Sequence, residues 1–260
     1  MDLTQDKILN LFKKIAIPAS VGTFFQTMYN IVDTYFAGKI SPEALSALAS
    51  SFPIYFIIIA SGVGLGVAST ALMANSIGEG KKNIASYYLA QAIIFSIIIA
   101  IIITFIGLKF STPLLLLMGS SEVSLNLTLK YLNVIFLGSV VIFLQFALNS
   151  SLTAMGDTKS YRNVLIVSSF LNIILNPIFI FGFGIIPAMG ISGLAISTVI
   201  SQLLGTIYLL YKVFKTDLKN YLHLNCFTPK AELLLNLSKQ GFPVTIGMMM
   251  ISVGVAIILH

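Results

Sequence analysis

Charged residues, cysteine and histidine are all scarce in this sequence of 260 residues. Charged residues make up 9% of the chain, whereas soluble globular domains carry about 25%. A single cysteine, Cys226, excludes an intramolecular disulfide, and two histidines cannot supply a spaced set of metal ligands. Hydrophobic residues make up 57% of the chain and the mean hydropathy is +0.97. These values indicate a membrane protein and argue against a metal enzyme or a redox enzyme.

The residue sets that support covalent chemistry are also missing from the apolar runs. No Ser/His/Asp or Cys/His set, no pair of carboxylates within one run and no phosphate-binding loop is found there. Gly62 and Gly66 are better explained as a close packing seam between helices than as a nucleotide-binding turn. We therefore predict that the protein is not an enzyme and holds no cofactor and no resident metal.

Seven apolar runs are long enough to cross a bilayer core of about 30 Å as helices. Charged or turn-rich segments such as Gly78–Lys82 and Gly182–Gly184 separate them. The predicted spans are Ile15–Ala37, Phe52–Ile77, Ala85–Leu108, Tyr131–Met155, Val164–Phe183, Ile191–Val213 and Phe242–Leu259. The expected fold class is therefore an all-α polytopic membrane protein embedded in the lipid bilayer.

Positive charges are unequally shared between the two ends of these spans. Twelve Lys and Arg residues fall on one side, and only Lys39, Lys109 and Lys130 fall on the other. Cytoplasmic loops retain Lys and Arg, so the N-terminus is predicted to be cytoplasmic in a multi-pass protein of the plasma membrane. This distribution accounts for the net charge of +6, so no nucleic acid partner is expected.

The seventh run resembles the first when the sequence is shifted by 225 positions. Because six spans separate the two copies, both enter the membrane from the same side, which predicts parallel repeats. We predict a six-helix N-terminal bundle at residues 1–214, a cytoplasmic connection at 215–240 and the first helix of an incomplete second bundle at 241–260. The coincident pairs are Lys14 with Lys239, Pro18 with Pro243, Ser20 with Thr245 and Gly22 with Gly247.

Asp33 is the one acidic residue inside a predicted span. A carboxylate at membrane depth costs several kcal/mol unless it faces a partner or a wet cavity, so such residues are functional by default. The alternative is a structural hydrogen bond between helices. Gln26 and Asn30 lie at helical spacing from Asp33, with Tyr29 beside them, and predict a wet stripe that contributes to substrate binding.

Paired amides occur in two further spans. Asn172 and Asn176 are four residues apart, as are Gln145 and Asn149. At 1.5 Å per residue, Asn176 and Asp33 lie about 10 Å and about 6 Å from the outer ends of their spans, depths similar enough that they should meet. Asn149 should lie roughly 10 Å nearer the cytoplasm, and Gln145 is a further candidate for substrate binding. Structural hydrogen bonding between helices is the alternative explanation for these amides.

Several segments, taken together, resemble the multidrug and toxic compound extrusion (MATE) transporters. They cover nearly the whole chain and are similar to the prokaryotic branch that keeps an Asp in its first helix. The resemblance implies twelve helices in two bundles, a monomer at full length, and export of amphipathic cations in exchange for H⁺ or Na⁺. The segments are Pro18, Tyr29–Thr34, Gly38, Glu43–Leu45, Gly62–Val67, Ala154–Lys159, Asn172–Pro177 and Gly190–Ala195.

The resemblance also implies roles for individual residues. Asp33 matches the coupling carboxylate, with Tyr29 as its neighbour, Asn149 and Asn172 as the surrounding amides, and Thr198 as a weaker match in the sixth helix.

One residue departs from the family pattern, because Asn176 stands where many relatives have Asp. A single carboxylate then replaces two, and a bound Na⁺ would rely on Asp33, Asn172 and Asn176. Pro18 matches a proline at which the first helix of some members bends.

Two other functions compete with this interpretation. A lipid-linked precursor flippase should have a more basic cavity, whereas almost no Lys or Arg lies within a predicted span. The second competing function is that of a truncated membrane scaffold without transport activity. A reading frame that continues for five more spans beyond His260 would exclude it.

Overall fold

A computed structural model describes the backbone of residues 8–258 and the side chains of residues 13, 16–250 and 254. Its secondary structure is helical apart from an isolated bridge between Phe183 and Ile186. The helices are α1 (Ile8–Ile40), α2 (Pro42–Gly78), α3 (Lys82–Leu117), α4 (Glu122–Ala154), α5 (Lys159–Phe181), α6 (Ile191–Phe214) and α7 (Ala231–Ile258), with short 3₁₀ helices at Asp217–Tyr221 and Leu224–Phe227. Leu259, the predicted end of the seventh span, lies outside the described residues.

Five of these helices, α2 to α6, are long and apolar enough to cross a membrane. Large apolar side chains such as Ile101 and Phe105 of α3 point outward and are exposed, as expected for a surface that faces lipid. The predicted all-α membrane fold is therefore confirmed. The first and seventh helices are not among the five, so membrane crossing by α1 and α7 remains a prediction.

The helices extend well beyond the predicted spans. Helix α2 begins at Pro42 rather than Phe52, and the break between α1 and α2 is reduced to Ser41. The Ser41 hydroxyl accepts a hydrogen bond from the Ala44 amide at 3.1 Å, and Pro42 occupies the first turn, where a missing N–H costs nothing. The break between the first two helices therefore lies at Ser41, in the turn-rich stretch of residues 38–42 that separates the first two apolar runs.

Helix α4 lies at the centre of the bundle and packs on α2, α3 and α6, whereas α1 packs mainly on α5. Hydroxyl groups join neighbouring helices by donating to backbone carbonyls. Thr104 of α3 donates to Phe136 of α4 at 2.6 Å, and Ser168 of α5 donates to Ser201 of α6 at 3.2 Å. Such bonds hold apolar helices in register where burial of apolar surface supplies little force.

A tight turn joins α5 to α6. The amides of Phe183 and Ile186 each donate to the other residue's carbonyl, at 3.1 and 3.0 Å. Gly182 has φ of +82°, and a Cβ there would lie 2.9 Å from backbone atoms of the turn, so only glycine fits. The turn places Asn176 and Thr198, five residues before the end of α5 and seven after the start of α6, at similar depth.

The connection from α6 to α7 is held on α3. The buried Gln91 side chain donates to the carbonyls of Cys226 and Thr228, both at 2.8 Å, and its oxygen accepts from the Lys230 amide at 3.0 Å. Because α7 begins at Ala231, this connection is shorter than the predicted 215–240 segment. The division into two bundles stays a prediction.

Helix α7 packs closely against α2. A Cβ added to Gly241 of α7 would lie 3.0 Å from the carbonyl oxygen of Gly64 in α2. One turn further, the Thr245 hydroxyl donates to the Ala60 carbonyl at 3.4 Å. The two backbones therefore approach each other through glycine, as in other tight helix pairs of membrane proteins.

Candidate functional site

Asp33 is buried where α1, α5 and α6 meet, with 7% of its surface exposed. One carboxylate oxygen accepts a hydrogen bond from Asn176 Nδ2 at 3.0 Å. The other accepts from the Thr198 hydroxyl at 3.2 Å. Among the described residues the ion pairs are Lys81 with Glu79 and Lys82 with Asp217. The carboxylate of Asp33 is thus held by neutral donors alone within this part of the chain.

Asn176 has two acceptors for one amide group. Its Nδ2 donates to Asp33 and also to Asn172 Oδ1, each at 3.0 Å. A carboxylate at position 176 could not donate to either oxygen unless it carried a proton. The asparagine therefore supplies two hydrogen bonds that an aspartate at this position would lack when charged.

The inward face of α1 explains how Asp33 reaches this position. Buried residues recur along α1 at Gly22, Tyr29, Asp33 and Ala37, a spacing that follows one face of a helix. On α5 the buried Asn172 and Asn176 are one turn apart in the same way, so two helical faces carry the acid and the amides into contact.

Three polar atoms beside the Asp33 carboxylate have no hydrogen-bond partner among the described residues: Tyr29 Oη, Asn172 Nδ2 and Asn176 Oδ1. Tyr55 of α2 and Tyr131 of α4 also lie close enough to interact electrostatically with Asp33. The sequence analysis missed these two tyrosines, because a tyrosine within an apolar run gives no sign of which neighbour its hydroxyl faces.

A separate cavity of about 360 Å³ lies between α1, α4 and α5. It opens nearer the end of the bundle where α4 ends and α5 begins, which is the end predicted to be cytoplasmic. Arg162, the single arginine of the sequence, is the one charged residue among the described side chains that line it. The lining residues are Pro18, Ala19, Gly22, Thr23, Gln26, Asn149, Thr153, Thr158, Tyr161, Arg162 and Leu165.

Asn149 lies apart from Asp33, on the cytoplasmic side as its depth predicts, and the coupling role that the resemblance implies for it stays a prediction. The Asn149 Oδ1 accepts a hydrogen bond from the Thr153 hydroxyl at 3.4 Å, and Asn149 lines the cavity between α1, α4 and α5. Asn149 lies in the last turns of α4, whereas Asp33 lies near the opposite end of α1. Since α1 and α4 run in opposite directions through the bundle, these positions put the two side chains at different depths.

The predicted wet stripe of Gln26, Asn30 and Asp33 is also divided. Asp33 is buried, whereas Gln26 and Asn30 are exposed. Gln26 lines the cavity between α1, α4 and α5. Asn30 lies about 60° around the helix from Asp33 at 100° per residue, enough to turn it off the packed face. Gln145 is buried between α4 and α6, where Gly205 leaves room for its amide.

Pro18 lies inside α1, which continues as a helix on both sides of it. The bend that was predicted at Pro18 is not tested by this single conformation, and it stays a prediction.

Comparisons with known proteins point to one family. The family model described as MatE matches residues 18–178. A protein of Shewanella oneidensis named FAD transporter is 30% identical over 191 residues, which are 74% of this chain and 42% of that protein. The probable multidrug resistance protein NorM of Thermotoga maritima is 28% identical over 243 residues, 93% of this chain and 52% of that protein.

Solved structures agree with this result. An outward-facing multidrug resistance MATE family transporter of the MOP superfamily superposes with a TM-score of 0.82 at 29% identity, over 92% of this chain and 52% of that one. An inward-facing structure of such a transporter gives a TM-score of 0.80 at 28% identity, over 92% and 55%. The chain spans about half the length of the curated relatives it matches. Since the family model covers most of the residues and the fold agrees, this multi-pass membrane chain belongs to the MatE family.

Proposed function

We propose that this chain forms one bundle of a secondary active transporter that exports amphipathic cations in exchange for H⁺ or Na⁺, with Asp33 as the coupling group. The observation that carries this proposal is a buried carboxylate whose protein partners, Asn176 and Thr198, are both neutral. Such an acid can exchange one cation for another, because no fixed positive charge competes for it.

The surroundings of Asp33 act in opposite directions on its charge. Burial disfavours the charged form of a carboxylic acid, whereas the donors Asn176 and Thr198 favour it. A proton that arrives at Asp33 removes the attraction for a cationic substrate and weakens both hydrogen bonds. Protonation and substrate release would therefore occur at the same residue, and α1 could then move relative to α5 and α6, with Pro18 as the proposed bend.

Sodium is the second candidate for the coupling ion. Hard cations bind oxygen ligands, and an Asp33 oxygen and Asn172 Oδ1 both lie 3.0 Å from Asn176 Nδ2. A sodium ion bound at these two oxygens would take the place of that amide nitrogen, and Asn176 would have to turn its oxygen toward the ion. The described residues contain no group of three or more His, Cys, Asp or Glu that would suit a tightly bound metal. A transported sodium ion with one acidic ligand fits this donor set better than a permanently bound metal.

The remaining features of the proposal follow from the charge pattern and the family. We propose that the N-terminus is cytoplasmic, that the protein lies in the plasma membrane, and that it acts as a monomer when the second bundle is present. The second bundle would begin with α7.

Ethidium efflux in everted vesicles from cells that produce the protein would test the proposal. A pH gradient and a sodium gradient are imposed separately, so that each ion is tested alone. Asp33→Asn should abolish efflux, whereas Glu122→Gln, an exposed acid in the first turn of α4, should leave it unchanged. Unchanged efflux in Asp33→Asn membranes that contain normal amounts of protein would defeat the proposal.

An anionic substrate is the second candidate. The relative from Shewanella oneidensis is named FAD transporter, and Arg162 supplies a positive charge in the cavity between α1, α4 and α5. The same vesicles, tested with FAD in place of ethidium, would separate the two substrate classes. Transport of neither compound under either gradient would favour a flippase or a scaffold without transport activity.

A further inference from the structure

We propose that the cavity between α1, α4 and α5 binds an anionic group, a phosphate or a carboxylate, carried on an apolar body, and that Arg162 is its anchor. This site is distinct from the Asp33 site, and the proposal does not depend on the coupling mechanism. The cavity has a volume of about 360 Å³, near the lower limit of small-molecule sites, which is about 300 Å³. It can hold a charged group and the first part of the attached body.

The charge of Arg162 is not neutralised within the described part of the chain. Its Nε and Nη2 both donate to Asn163 Oδ1, at 3.2 and 2.8 Å, and this acceptor is a neutral amide. The acid nearest in sequence, Asp157, accepts from the backbone amide and the hydroxyl of Ser160, at 3.0 and 2.6 Å. Arg162 therefore keeps a full positive charge that has a fixed neutral partner on one edge of its guanidinium group.

The rest of the described lining suits an anion better than a cation. No acidic residue is among the described residues that line the cavity. Gln26, Asn149 and Thr158 place neutral polar side chains around the same space as Arg162. Arginine binds carboxylate and phosphate with two parallel N–H donors, and the amides and hydroxyls can donate to the remaining oxygens.

Apolar residues complete the site on the side of α1. Pro18 and Ala19 line one wall, and Leu165 of α5 lies opposite. A ligand with a charged group and an apolar body could contact both kinds of surface at once. Two sources share this chemistry, a soluble phosphorylated compound and the head group of an anionic lipid, and the experiment must distinguish them.

Flavin mononucleotide and riboflavin are suitable probes, because they differ only in one phosphate group and both are fluorescent. The complete protein is purified in a neutral detergent, and the binding of each probe is followed by fluorescence anisotropy without any ion gradient. We expect flavin mononucleotide to bind at least about tenfold more tightly than riboflavin, as charge-assisted bonds to phosphate imply. Equal affinities for the two probes would overturn the proposal.

Two substitutions test whether Arg162 is the residue that makes flavin mononucleotide bind more tightly than riboflavin. Arg162→Gln should remove it, whereas Lys159→Gln, which deletes an exposed charge from the first turn of the same helix outside the cavity, should retain it. If both variants lose the preference equally, the effect is one of net charge and the proposal fails. Arg162→Lys keeps the charge without the paired donors, so its ratio of affinities for flavin mononucleotide and riboflavin should be smaller than that of wild type. This variant replaces Arg162→Gln in the comparison if Arg162→Gln does not fold.

Reconstitution distinguishes the two sources of the ligand. The protein is placed in nanodiscs of phosphatidylcholine, with or without phosphatidylglycerol. If the lipid head group is the natural ligand, phosphatidylglycerol should reduce flavin mononucleotide binding to wild type and to Lys159→Gln alike. Undiminished binding supports a soluble ligand. If phosphatidylglycerol lowers flavin mononucleotide binding by the same factor in Arg162→Lys and in wild type, the cause is repulsion of the probe by the anionic membrane surface. That result would count against a lipid head group in the cavity.

Discussion

Asp33 and Arg162 form an instructive pair, because each is a charged residue within the bundle whose described partners are all neutral. They differ in their surroundings. Asp33 is enclosed by three helices, whereas Arg162 is half-buried and lines an open cavity. Along α5, Arg162 and Asn176 are fourteen residues apart, which is about 21 Å of helix.

The difference in burial gives the two charges different roles. An enclosed carboxylate can lose its charge by binding a proton, so its charge can follow the state of the transporter. Arginine stays charged under all physiological conditions, so Arg162 can attract an anion but cannot release it by losing a proton. One site is therefore suited to coupling and the other to recognition.

The largest expected effect separates these roles directly. Asp33→Asn should reduce gradient-driven efflux of ethidium by at least about a hundredfold, because an interaction with a buried charge is worth about 3–5 kcal/mol. Arg162→Gln should change ethidium efflux by less than about threefold, since it removes no group that contacts Asp33. Ethidium fluorescence in vesicles with matched protein content measures both. Equal losses in the two variants would contradict the division of roles.

A second carboxylate should change the ion that binds at the Asp33 site. In Asn176→Asp, two acids would lie about 3 Å apart and could not both be charged without a cation between them. We expect sodium chloride to raise the thermal stability of this variant more than choline chloride does, by about 1–3 kcal/mol. Wild type provides the reference, and the same response to sodium in both proteins would refute the expectation.

Removal of one donor should have an intermediate effect. Thr198→Val leaves one oxygen of Asp33 without its hydrogen bond, and a bond to a charged group contributes about 1.5–3 kcal/mol. We expect efflux to fall about tenfold or more, and Thr198→Ser to restore most of it because serine keeps the hydroxyl. Similar activity in the valine and serine variants would mean that the hydroxyl does not act on Asp33.

The smallest effect is expected at the partner of Arg162. Asn163→Leu removes the neutral acceptor that orients the guanidinium group but leaves its charge in the cavity. Flavin mononucleotide should bind about two- to fivefold more weakly, in keeping with a net hydrogen-bond contribution of about 0.5–1.5 kcal/mol. Anisotropy titrations beside Arg162→Gln would rank the two variants. A larger loss in Asn163→Leu would indicate that Asn163 itself binds the anion.

The sequence was sufficient to predict the contact between α1 and α5. Asp33 and Asn176 lie at similar distances from the ends of their spans, and the structure brings them within 3.0 Å. Depth along a helix follows from residue spacing alone, so this part of the site could be predicted. The coupling roles of these residues remain predictions.

Rotation about the helix axis was harder to predict than depth. Asn30 belongs to the same polar stripe as Asp33 in the sequence, yet it is exposed. The packing of α1 against α5 decides which edge of the stripe is covered, and this cannot be known before the neighbouring helix is placed. For Asn149 the depth along the helix was the informative quantity, since it predicted a position on the cytoplasmic side of Asp33.

The cavity between α1, α4 and α5 was not recognised in the sequence, because its residues come from three distant segments. Arg162 was counted only as one of twelve positive charges that indicate membrane orientation. That it is the single arginine of the chain was a usable signal, since arginine is favoured over lysine where two donors must meet a planar anion. A lysine at position 162 would have contributed equally to the excess of positive charge that sets the membrane orientation.

The close approach of Gly64 and Gly241 has a mechanical consequence for α7. The backbones of Gly64 and Gly241 are close together there, with the Thr245 side chain packed beside Gly64. Contact of this kind is short-ranged, and a gap of 0.5–1 Å already removes about a quarter to a half of the attraction. A small displacement of α7 from α2 would therefore cost much of this contact, whereas the Gln91 hydrogen bonds hold the preceding segment on α3.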